Sequence, residues 1–296
     1  MSGDPNKPRI AILGSSGTWH SRQLTAAFLR RGITPTFADP TRLASHLGGA
    51  TKVQVGAIAL SECDLLLVRD VPGGSLEQVI FRMDALHQLE NSGVRVVNSP
   101  HAIEKMVDKY YTLSLLQGAG LPVPESRVCE NNSDARTAFH DLGGDVVIKP
   151  LFGSRGKGMV RVTDPETAQR VFTALQMGGY IYYLQRFIPH DNRDTRVMVM
   201  GGECVAAMER VARGWKTNIA AGGTPTPTEL TDETRTLCLQ AAQALGADYC
   251  GVDLLRNPSN QLFLIEANSI PAWRGLQQVT NENIADKLVA HCLRLI

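Results

Sequence analysis

The sequence predicts an α/β fold in which an N-terminal parallel sheet is followed by lobes of mixed helices and strands. A strand, a glycine-rich turn, a helix and a second strand succeed one another over residues 9–38, the order of a parallel βαβ unit. A strand–glycine loop–strand pattern occupies residues 146–162, and an apolar hairpin that carries acidic residues occupies residues 249–268. These patterns indicate three successive lobes, over residues 1–98, 99–186 and 187–296.

The first lobe is predicted from short apolar runs, with strands over 9–13, 35–38, 64–68 and 94–97 and helices over 21–31 and 76–89. Arg69 follows the third strand, where parallel sheets place ligand-facing loops, so it is a candidate for binding a substrate carboxylate or else an ordinary surface residue. Gly14 and Gly17 do not complete a dinucleotide-binding fingerprint, and Asp39 is only a loose acidic partner. A dehydrogenase built on this lobe is therefore a minor alternative.

Composition excludes several classes of function. The chain of 296 residues has a net charge of +1, which gives no bulk electrostatic basis for binding nucleic acid or a membrane surface. No apolar run is long enough to cross a bilayer, and the polar start lacks the core of a signal peptide. The six cysteines are scattered with no Cys-x-x-Cys, which favours reduced thiols and a cytoplasmic location. The seven histidines show no ligand spacing, so the sequence does not predict a zinc site.

The glycine loop of the middle lobe has the composition of a phosphate-binding segment. Val146–Lys149 is a buried strand that ends in a lysine, which favours an anion, and Met159–Val162 resumes a strand after the loop. The loop offers free backbone N–H groups and a positive charge, which suit phosphates, although an ordinary glycine-rich hairpin is the alternative. The candidate loop residues are Ser154, Arg155, Gly156 and Lys157.

The hairpin near the C-terminus carries a candidate metal site. Asp253 lies within one apolar run, while Glu266 ends the second run and Asn268 follows on the same side of an extended chain. Buried carboxylates are costly without a compensating cation, and Mg²⁺ prefers oxygen ligands of this kind. Strand-end acids bridged to lysine or arginine are the structural alternative.

Five motifs occur in a fixed order along the chain. They are Asp108-Lys109, Lys149-Pro-x-x-Gly-Ser-x-Gly-Lys-Gly158, Asp194-x-Arg196, Lys216-x-Asn218 and Asp253 followed by Glu266-x-Asn268. In this order they resemble the ATP-grasp superfamily, and most closely the RimK-like α-L-glutamate ligases, over roughly residues 95–290. The resemblance implies an ATP-grasp fold preceded by an N-terminal pre-ATP-grasp domain.

The resemblance also implies roles for particular residues. Lys109 and Lys149 would contact nucleotide phosphates beneath the glycine flap, and Asp194 would bind the ribose or order the site. The backbone of the strand that crosses into the last lobe would read the purine, although Arg186 stands where many relatives have glutamate. The remaining residues are the adenine-pocket set Gln185, Arg186, Phe187 and Ile188, the γ-phosphate and carboxylate set Arg196 and Arg210, the loop set Lys216, Thr217 and Asn218, and the Mg²⁺ ligands Asp253, Glu266 and Asn268.

The segment after Asn268 departs from relatives that modify a ribosomal protein. Trp273 and Arg274 stand where those relatives have a small-residue turn. Arg274 is a candidate for binding a carboxylate and Trp273 for stacking on a flat substrate. Packing at the interface between lobes is the alternative for both residues.

The implied reaction is ATP-dependent ligation of a carboxylate to an amine through an acyl phosphate. L-Glutamate is the expected amine, and a small acceptor such as tetrahydromethanopterin is favoured over a ribosomal protein tail. Two Mg²⁺ ions, with Mn²⁺ as a substitute, would accompany ATP, and homo-oligomerisation is left open. A nucleotide-binding sensor or scaffold that keeps the fold without catalysis is the second hypothesis.

Overall fold

The computed structural model describes residues 7–48, 52–153 and 156–296. In chain order the strands are β1 (Ile10–Leu13), β2 (Thr36–Ala38), β3 (Leu43–His46), β4 (Lys52–Val55), β5 (Ile58–Ala59), β6 (Leu65–Val68), β7 (Arg95–Val97), β8 (Ser126–Cys129), β9 (Val146–Lys149), β10 (Val160–Val162), β11 (Tyr182–Arg186), β12 (Arg193–Met200), β13 (Glu203–Val211), β14 (Thr224–Pro227), β15 (Tyr249–Arg256) and β16 (Leu262–Asn268). The α-helices are α1 (Trp19–Leu29), α2 (Leu76–Asn91), α3 (Pro100–Val107), α4 (Lys109–Gly118), α5 (Asn132–Asp141), α6 (Pro165–Met177), α7 (Asp232–Leu245), α8 (Arg274–Gln278) and α9 (Ile284–Leu293).

The N-terminal sheet is parallel, in the order β2-β1-β6-β7. All residues of β1 and β6 are buried, because helices cover both faces of a sheet of this kind. Thr18 caps α1 by accepting a hydrogen bond from Ser21 N, and Ser75 begins α2 with a capping box. The predicted parallel sheet is therefore confirmed.

The middle sheet, β10-β9-β11-β8, is antiparallel and carries the glycine loop between β9 and β10. Its apolar face packs on α5 and α6 in a core that includes Phe139, Phe172 and Leu184. β11 pairs with β9 and β8 over Tyr182–Arg186, so the chain crosses to the last sheet only after this strand.

The C-terminal sheet, β14-β13-β12-β15-β16, is antiparallel and contains the acidic hairpin as β15 and β16. One face packs on α7, which ends at Gly246 in a left-handed conformation (φ 68°) that glycine adopts readily. The same core includes Leu113 and Leu116 of α4. Helix α4 was placed with the middle lobe in the sequence-based division, but its buried face lies on the C-terminal sheet.

A third core joins the N-terminal and C-terminal sheets. Ile12 and Phe28 from the N-terminal part lie in one buried cluster with Met198, Trp273 and Leu288. Arg30 and Arg31 at the end of α1 also pair with a carboxylate of α9. No helix within the described ranges has the length and apolar character needed to cross a bilayer.

Candidate active site

A cleft of about 660 Å³ lies between the middle and C-terminal sheets. It is lined by most of the residues that the sequence motifs singled out: Lys109, Lys149, Gln185, Arg186, Phe187, Ile188, Asp194, Arg210, Lys216, Thr217, Asn218, Asp253 and Glu266. Residues separated by more than 150 positions in the chain therefore meet around one cavity.

The acidic hairpin brings its three polar side chains together. Asp253 and Glu266 are directly opposed across β15 and β16, with a register irregularity immediately after Asp253. With its amide oriented so that both ends are paired, Asn268 donates to Glu266 Oε1 at 3.3 Å and accepts from Arg196 Nη2 at 3.3 Å. The proximity predicted for these side chains is therefore observed.

Asp253 lies at the centre of a buried network of charges. Arg196, opposite Asp253 on β12, bonds both carboxylate oxygens, and Arg210 Nη2 lies 2.9 Å from Asp253 Oδ2. Arg210 also bonds both oxygens of Asp194, its partner across β12 and β13. Burial alone would raise the pKa of Asp253, but the two arginines outweigh it and hold the pKa below its ordinary value.

These contacts alter two expectations. Both oxygens of Asp194 are engaged by Arg210, so ordering of the site, rather than an open ribose contact, is the role that this geometry fits. The structural alternative to a metal site, a hairpin acid bridged to arginine, is present at Asp253, in a buried setting where removal of one partner is costly.

Glu266 differs from Asp253 because no Lys, Arg or His nitrogen of the described chain lies within 4.0 Å of its carboxylate. Burial and the negative charge of Asp253 raise the pKa of Glu266, against the opposing influence of Lys109, Arg196 and Lys149. The Glu266 carboxylate therefore lies among positively charged side chains but forms no ion pair with them. It can therefore accept an added cation without first losing an ion-pair partner.

Two lysines approach the cleft from the middle part of the chain. Lys149 Nζ donates to Gln185 Oε1 at 2.6 Å, and burial lowers the pKa of Lys149 to about 8, although Glu266 opposes the shift. Burial also lowers the pKa of Lys109, whose Nζ donates to Gly153 O at 2.6 Å. Lys109 therefore contacts the start of the glycine loop directly.

The strand end proposed to read a purine has one free backbone donor. The N–H groups of Arg186 and Phe187 donate to Glu125 O and Asp145 O, so they are not available to a ligand. Ile188, which lines the cleft, has no acceptor for its N–H among the residues described. The Arg186 side chain turns to Glu125, to which Nη2 donates at 2.6 Å.

The glycine flap lies against the loop that follows β13. A Cβ on Gly156, which has φ +69°, would stand 2.6 Å from Asn218 Oδ1, so only glycine permits this approach. Lys216 Nζ donates to Met159 O at 2.6 Å. Lys157 is exposed on the flap, and the candidates Ser154 and Arg155 lie outside the described residues.

The three candidates for substrate contact have different surroundings. Trp273 is 0% exposed and lies in the core shared by two sheets, so the packing alternative is correct for this ring and the expected stacking on a substrate is not. Arg69 donates to Tyr249 Oη and Pro271 O and lies 4.5 Å from the Trp273 ring centre, so it is neither a surface residue nor a free anion ligand. Arg274 is exposed at the start of α8.

Sequence reasoning missed several residues that line the cleft. Trp215 packs edge-to-face on Phe187, with the ring centroids 6.4 Å apart. Its position beside the Lys216-x-Asn218 motif is the sequence feature that could have identified it. His190 also lines the cleft, and burial lowers its pKa, but no motif marks it. The apolar lining residues that were not singled out are Val147, Met159, Leu255 and Ile265.

Comparison with known proteins agrees with this geometry. Residues 106–292 match the RimK-like ATP-grasp domain. The chain is 31% identical to the tetrahydromethanopterin:α-L-glutamate ligase of Methanosarcina acetivorans, across 94% of this chain and 96% of that one. It is 29% identical to the ribosomal protein bS6–L-glutamate ligase of Salmonella paratyphi B, across 95% and 94% of the two chains.

A solved structure has the same fold. The ATP-grasp ligase PsnB, in complex with a variant of its minimal precursor, Mg and ADP, superposes with a TM-score of 0.74 at 22% identity. The superposition covers 97% of this chain and 98% of PsnB. The fold and the family predicted from the motifs are thus confirmed, and the chain belongs to the RimK-like ATP-grasp family.

Proposed function

We propose that this protein uses ATP to join the amino group of L-glutamate to a carboxylate of an acceptor molecule. The observation that carries the proposal is the half-buried Glu266 carboxylate, unpaired and facing Asp253 across one hairpin at the wall of a cationic cleft. A site that holds a polyphosphate together with a divalent cation needs this combination of unpaired acid and surrounding positive charge.

The reaction proceeds in two displacements. An oxygen of the acceptor carboxylate attacks the γ-phosphorus of ATP, which forms an acyl phosphate and releases ADP. The glutamate nitrogen then attacks the acyl carbon, the C–O bond to phosphate breaks, and the nitrogen loses a proton as the amide forms. Neither displacement requires a nucleophile from the protein, so placement of the reactants and compensation of charge supply the catalysis.

Positive side chains in the cleft and beside it divide this task. Lys109 and Lys149 stand at the base of the flap, where they would neutralise the phosphates. Arg196 and Arg210 are held on the C-terminal sheet and would face the γ-phosphate and the carboxylate under activation. The flap and its neighbour Asn218 would exclude water from the acyl phosphate, which otherwise hydrolyses.

Asp253, Glu266 and Asn268 are the residues that would hold Mg²⁺. Their donor set consists of oxygens only, which suits this ion, and Glu266 has no ion pair to give up. Asp253 can bind Mg²⁺ only if Arg196 and Arg210 give up part of their hydrogen bonding to it, and a nucleotide phosphate is an anion that could take that bonding over. When bound, Mg²⁺ neutralises phosphate charge, and two ions, or Mn²⁺ in their place, belong to the proposal.

The adenine ring would lie between the apolar lining of the middle sheet and that of the hairpin. The free N–H of Ile188 supplies one hydrogen bond to a purine ring nitrogen. Trp215 and Phe187 form an aromatic wall beside it. Arg186 contributes through its backbone, because its guanidinium is engaged by Glu125.

A small acceptor is favoured over a protein tail. The support is the similarity to tetrahydromethanopterin:α-L-glutamate ligases from Methanosarcina acetivorans and Methanococcus maripaludis, each 31% identical across most of both chains. Buried Trp273 no longer supports a flat acceptor. Exposed Arg274 remains a candidate contact for the acceptor carboxylate.

The test is whether an acceptor gains one glutamyl unit in the presence of ATP and L-glutamate. Mass spectrometry measures this gain on a panel of acceptors that includes tetrahydromethanopterin and ribosomal protein tails. Glu266→Gln should lower the rate of ADP release by about a thousandfold or more while the protein stays folded, because it removes the unpaired anion. Glu229→Gln, at an exposed acid without an ion pair in the described chain, is the control.

Asp253→Asn is the poorer test, because it would also leave two buried arginines without their shared anion. Normal turnover by Glu266→Gln would refute the role given to that residue. Tight ATP binding without ADP release in any acceptor mixture would instead favour the sensor.

A further inference from the structure

We propose that His87, His101 and Glu104 form a transition-metal site of the Zn²⁺ type, separate from the cleft. His87 lies on α2 beside the N-terminal sheet, whereas His101 and Glu104 lie on α3. The cluster plays no part in the proposed ligase reaction. It therefore stands independently of that proposal.

The three side chains converge on one point. His87 Nε2 lies 2.8 Å from Glu104 Oε1, and His101 Nδ1 lies 3.7 Å from Glu104 Oε2. One candidate ligand atom from each residue lies within 4.8 Å of the others. Zn²⁺ binds imidazole nitrogen and carboxylate oxygen at about 2.0–2.2 Å, so small side-chain adjustments would bring all three atoms to one ion.

Position on the helices explains the convergence. His101 and Glu104 are three residues apart, so they project from the same face of α3. The His87 and His101 rings meet edge-to-face with centroids 4.5 Å apart, and each has a ring nitrogen near the Glu104 carboxylate. A neutral imidazole has one nitrogen lone pair that can bind a metal. A cation at this point would bind the lone pairs of His87 and His101 together with the Glu104 carboxylate.

Exposure leaves room for a solvent ligand. The His101 side chain is 72% exposed, against 25% for His87 and 41% for Glu104. Three protein ligands and a water complete a tetrahedral Zn²⁺ site. Two nitrogens and one carboxylate favour Zn²⁺, Ni²⁺ or Cu²⁺ over Mg²⁺, so an excess of Mg²⁺ should not displace the bound ion.

Occupancy would link two parts of the chain. Helix α2 belongs to the N-terminal sheet, while α3 leads directly into Asp108 and Lys109 at the edge of the cleft. An ion held by both helices would fix α3 against the N-terminal sheet. Binding to the folded state alone would also raise the unfolding temperature.

The experiment is a calorimetric titration of the full chain, freed of metal, with Zn²⁺ in an excess of Mg²⁺ that occupies any oxygen-ligand site. The wild type should bind one Zn²⁺ per chain. His101→Gln and His87→Gln should each weaken this binding by about tenfold or more, because each removes one of three protein ligands. His140→Gln, at an exposed histidine on α5, should bind as the wild type does.

Thermal unfolding provides the second measurement. Zn²⁺ should raise the unfolding temperature of the wild type and of His140→Gln, and at the same concentration should raise that of His101→Gln less, because binding is weaker. The exposed side chain of His101 can be replaced without disturbing the core. The absence of Mg²⁺-resistant Zn²⁺ binding in the wild type would overturn the proposal. Undiminished binding by the double variant His87→Gln/His101→Gln would overturn it as well, and the cluster would then be only a hydrogen-bonded pair beside a second imidazole.

Discussion

At the scale of single residues, Lys149 shows how burial sets the working range of the cleft. Its ammonium group is buried and bonded to the neutral Gln185 amide rather than to a carboxylate. Burial lowers the pKa of Lys149 to about 8, and neighbouring Lys109 lowers it further while Glu266 and Asp253 oppose the shift. Lys149 is therefore charged below pH 8 and loses its charge near the upper edge of physiological pH.

The affinity for ADP should consequently fall as the pH rises above 8. Anion binding requires the charged lysine, so binding at higher pH must take up a proton, and affinity should drop by up to about tenfold per pH unit. Lys149→Arg keeps a permanent charge and should move this decline to higher pH. Calorimetric titration with ADP from pH 7 to pH 10 gives the affinity of the wild type and of Lys149→Arg at each pH. Identical pH profiles for the two proteins would show that another group controls ADP binding.

Asn98 is a residue whose effect reaches the acidic hairpin through the backbone. Its side chain is fully buried, donates to Tyr249 O and Ser269 O, and accepts from Tyr249 N. These three bonds attach the end of β7 to both strands of the hairpin, one residue beyond Asn268. The position of the candidate metal ligands therefore depends on a side chain from the N-terminal sheet.

Asn98→Ala should leave these backbone groups unpaired and cost about 1–3 kcal/mol of stability. It should also raise the Mg²⁺ concentration needed for half-maximal ADP release, because the Ser269 end of the hairpin is no longer held. Asn281→Ala, in an exposed loop, is the control. An unchanged Mg²⁺ requirement, with stability alone reduced, would mean that Asn98 supports the fold but not the site.

At the scale of elements, the flap and the loop after β13 act as a pair. Gly156 reaches Asn218 only because it lacks a Cβ and adopts φ +69°. Lys216 and Lys109 hold the two ends of the glycine segment through Met159 O and Gly153 O. Closure over the nucleotide thus depends on backbone contacts as much as on the charge of the loop.

Gly156→Ala should raise the KM for ATP by about tenfold and increase hydrolysis of ATP without ligation, because the added methyl group keeps the flap from Asn218. Gly179→Ala is a matched control, since Gly179 has φ +66° with no atom within 4 Å of an added Cβ. Steady-state kinetics with product analysis distinguishes the two variants. Equal effects would assign the change to backbone strain rather than to the lost contact.

The elements differ in how far the sequence could predict them. β9 and the acidic hairpin carry strong apolar patterns, and their predicted positions agree with the structure to within a few residues. The short strand β3, with its exposed Ala44–His46, has no alternation to mark it. The pairing of Asp253 with Arg196 depends on the register between β12 and β15, which no local pattern contains.

At the scale of the whole molecule, the N-terminal and C-terminal sheets share one core although they are far apart in the chain. Trp273 lies within this core, where Arg69 packs on its ring and His20 accepts from its backbone N–H. The sequence alone could not decide whether this tryptophan packs in a core or contacts a substrate. Its role depends on whether β7 and the hairpin enclose the ring, and this is a property of the tertiary fold. The two sheets should therefore unfold as one unit.

Two tryptophan variants test this division of roles. Trp273→Ala should cost about 3–5 kcal/mol of stability, a shift in unfolding temperature on the order of 10 °C, because it leaves a cavity in the shared core. Trp215→Ala, at the wall of the cleft, should weaken ADP binding and change the unfolding temperature little. Calorimetry gives both quantities for each variant. A stable Trp273→Ala protein with a raised KM for the acceptor would restore substrate contact as the role of this ring.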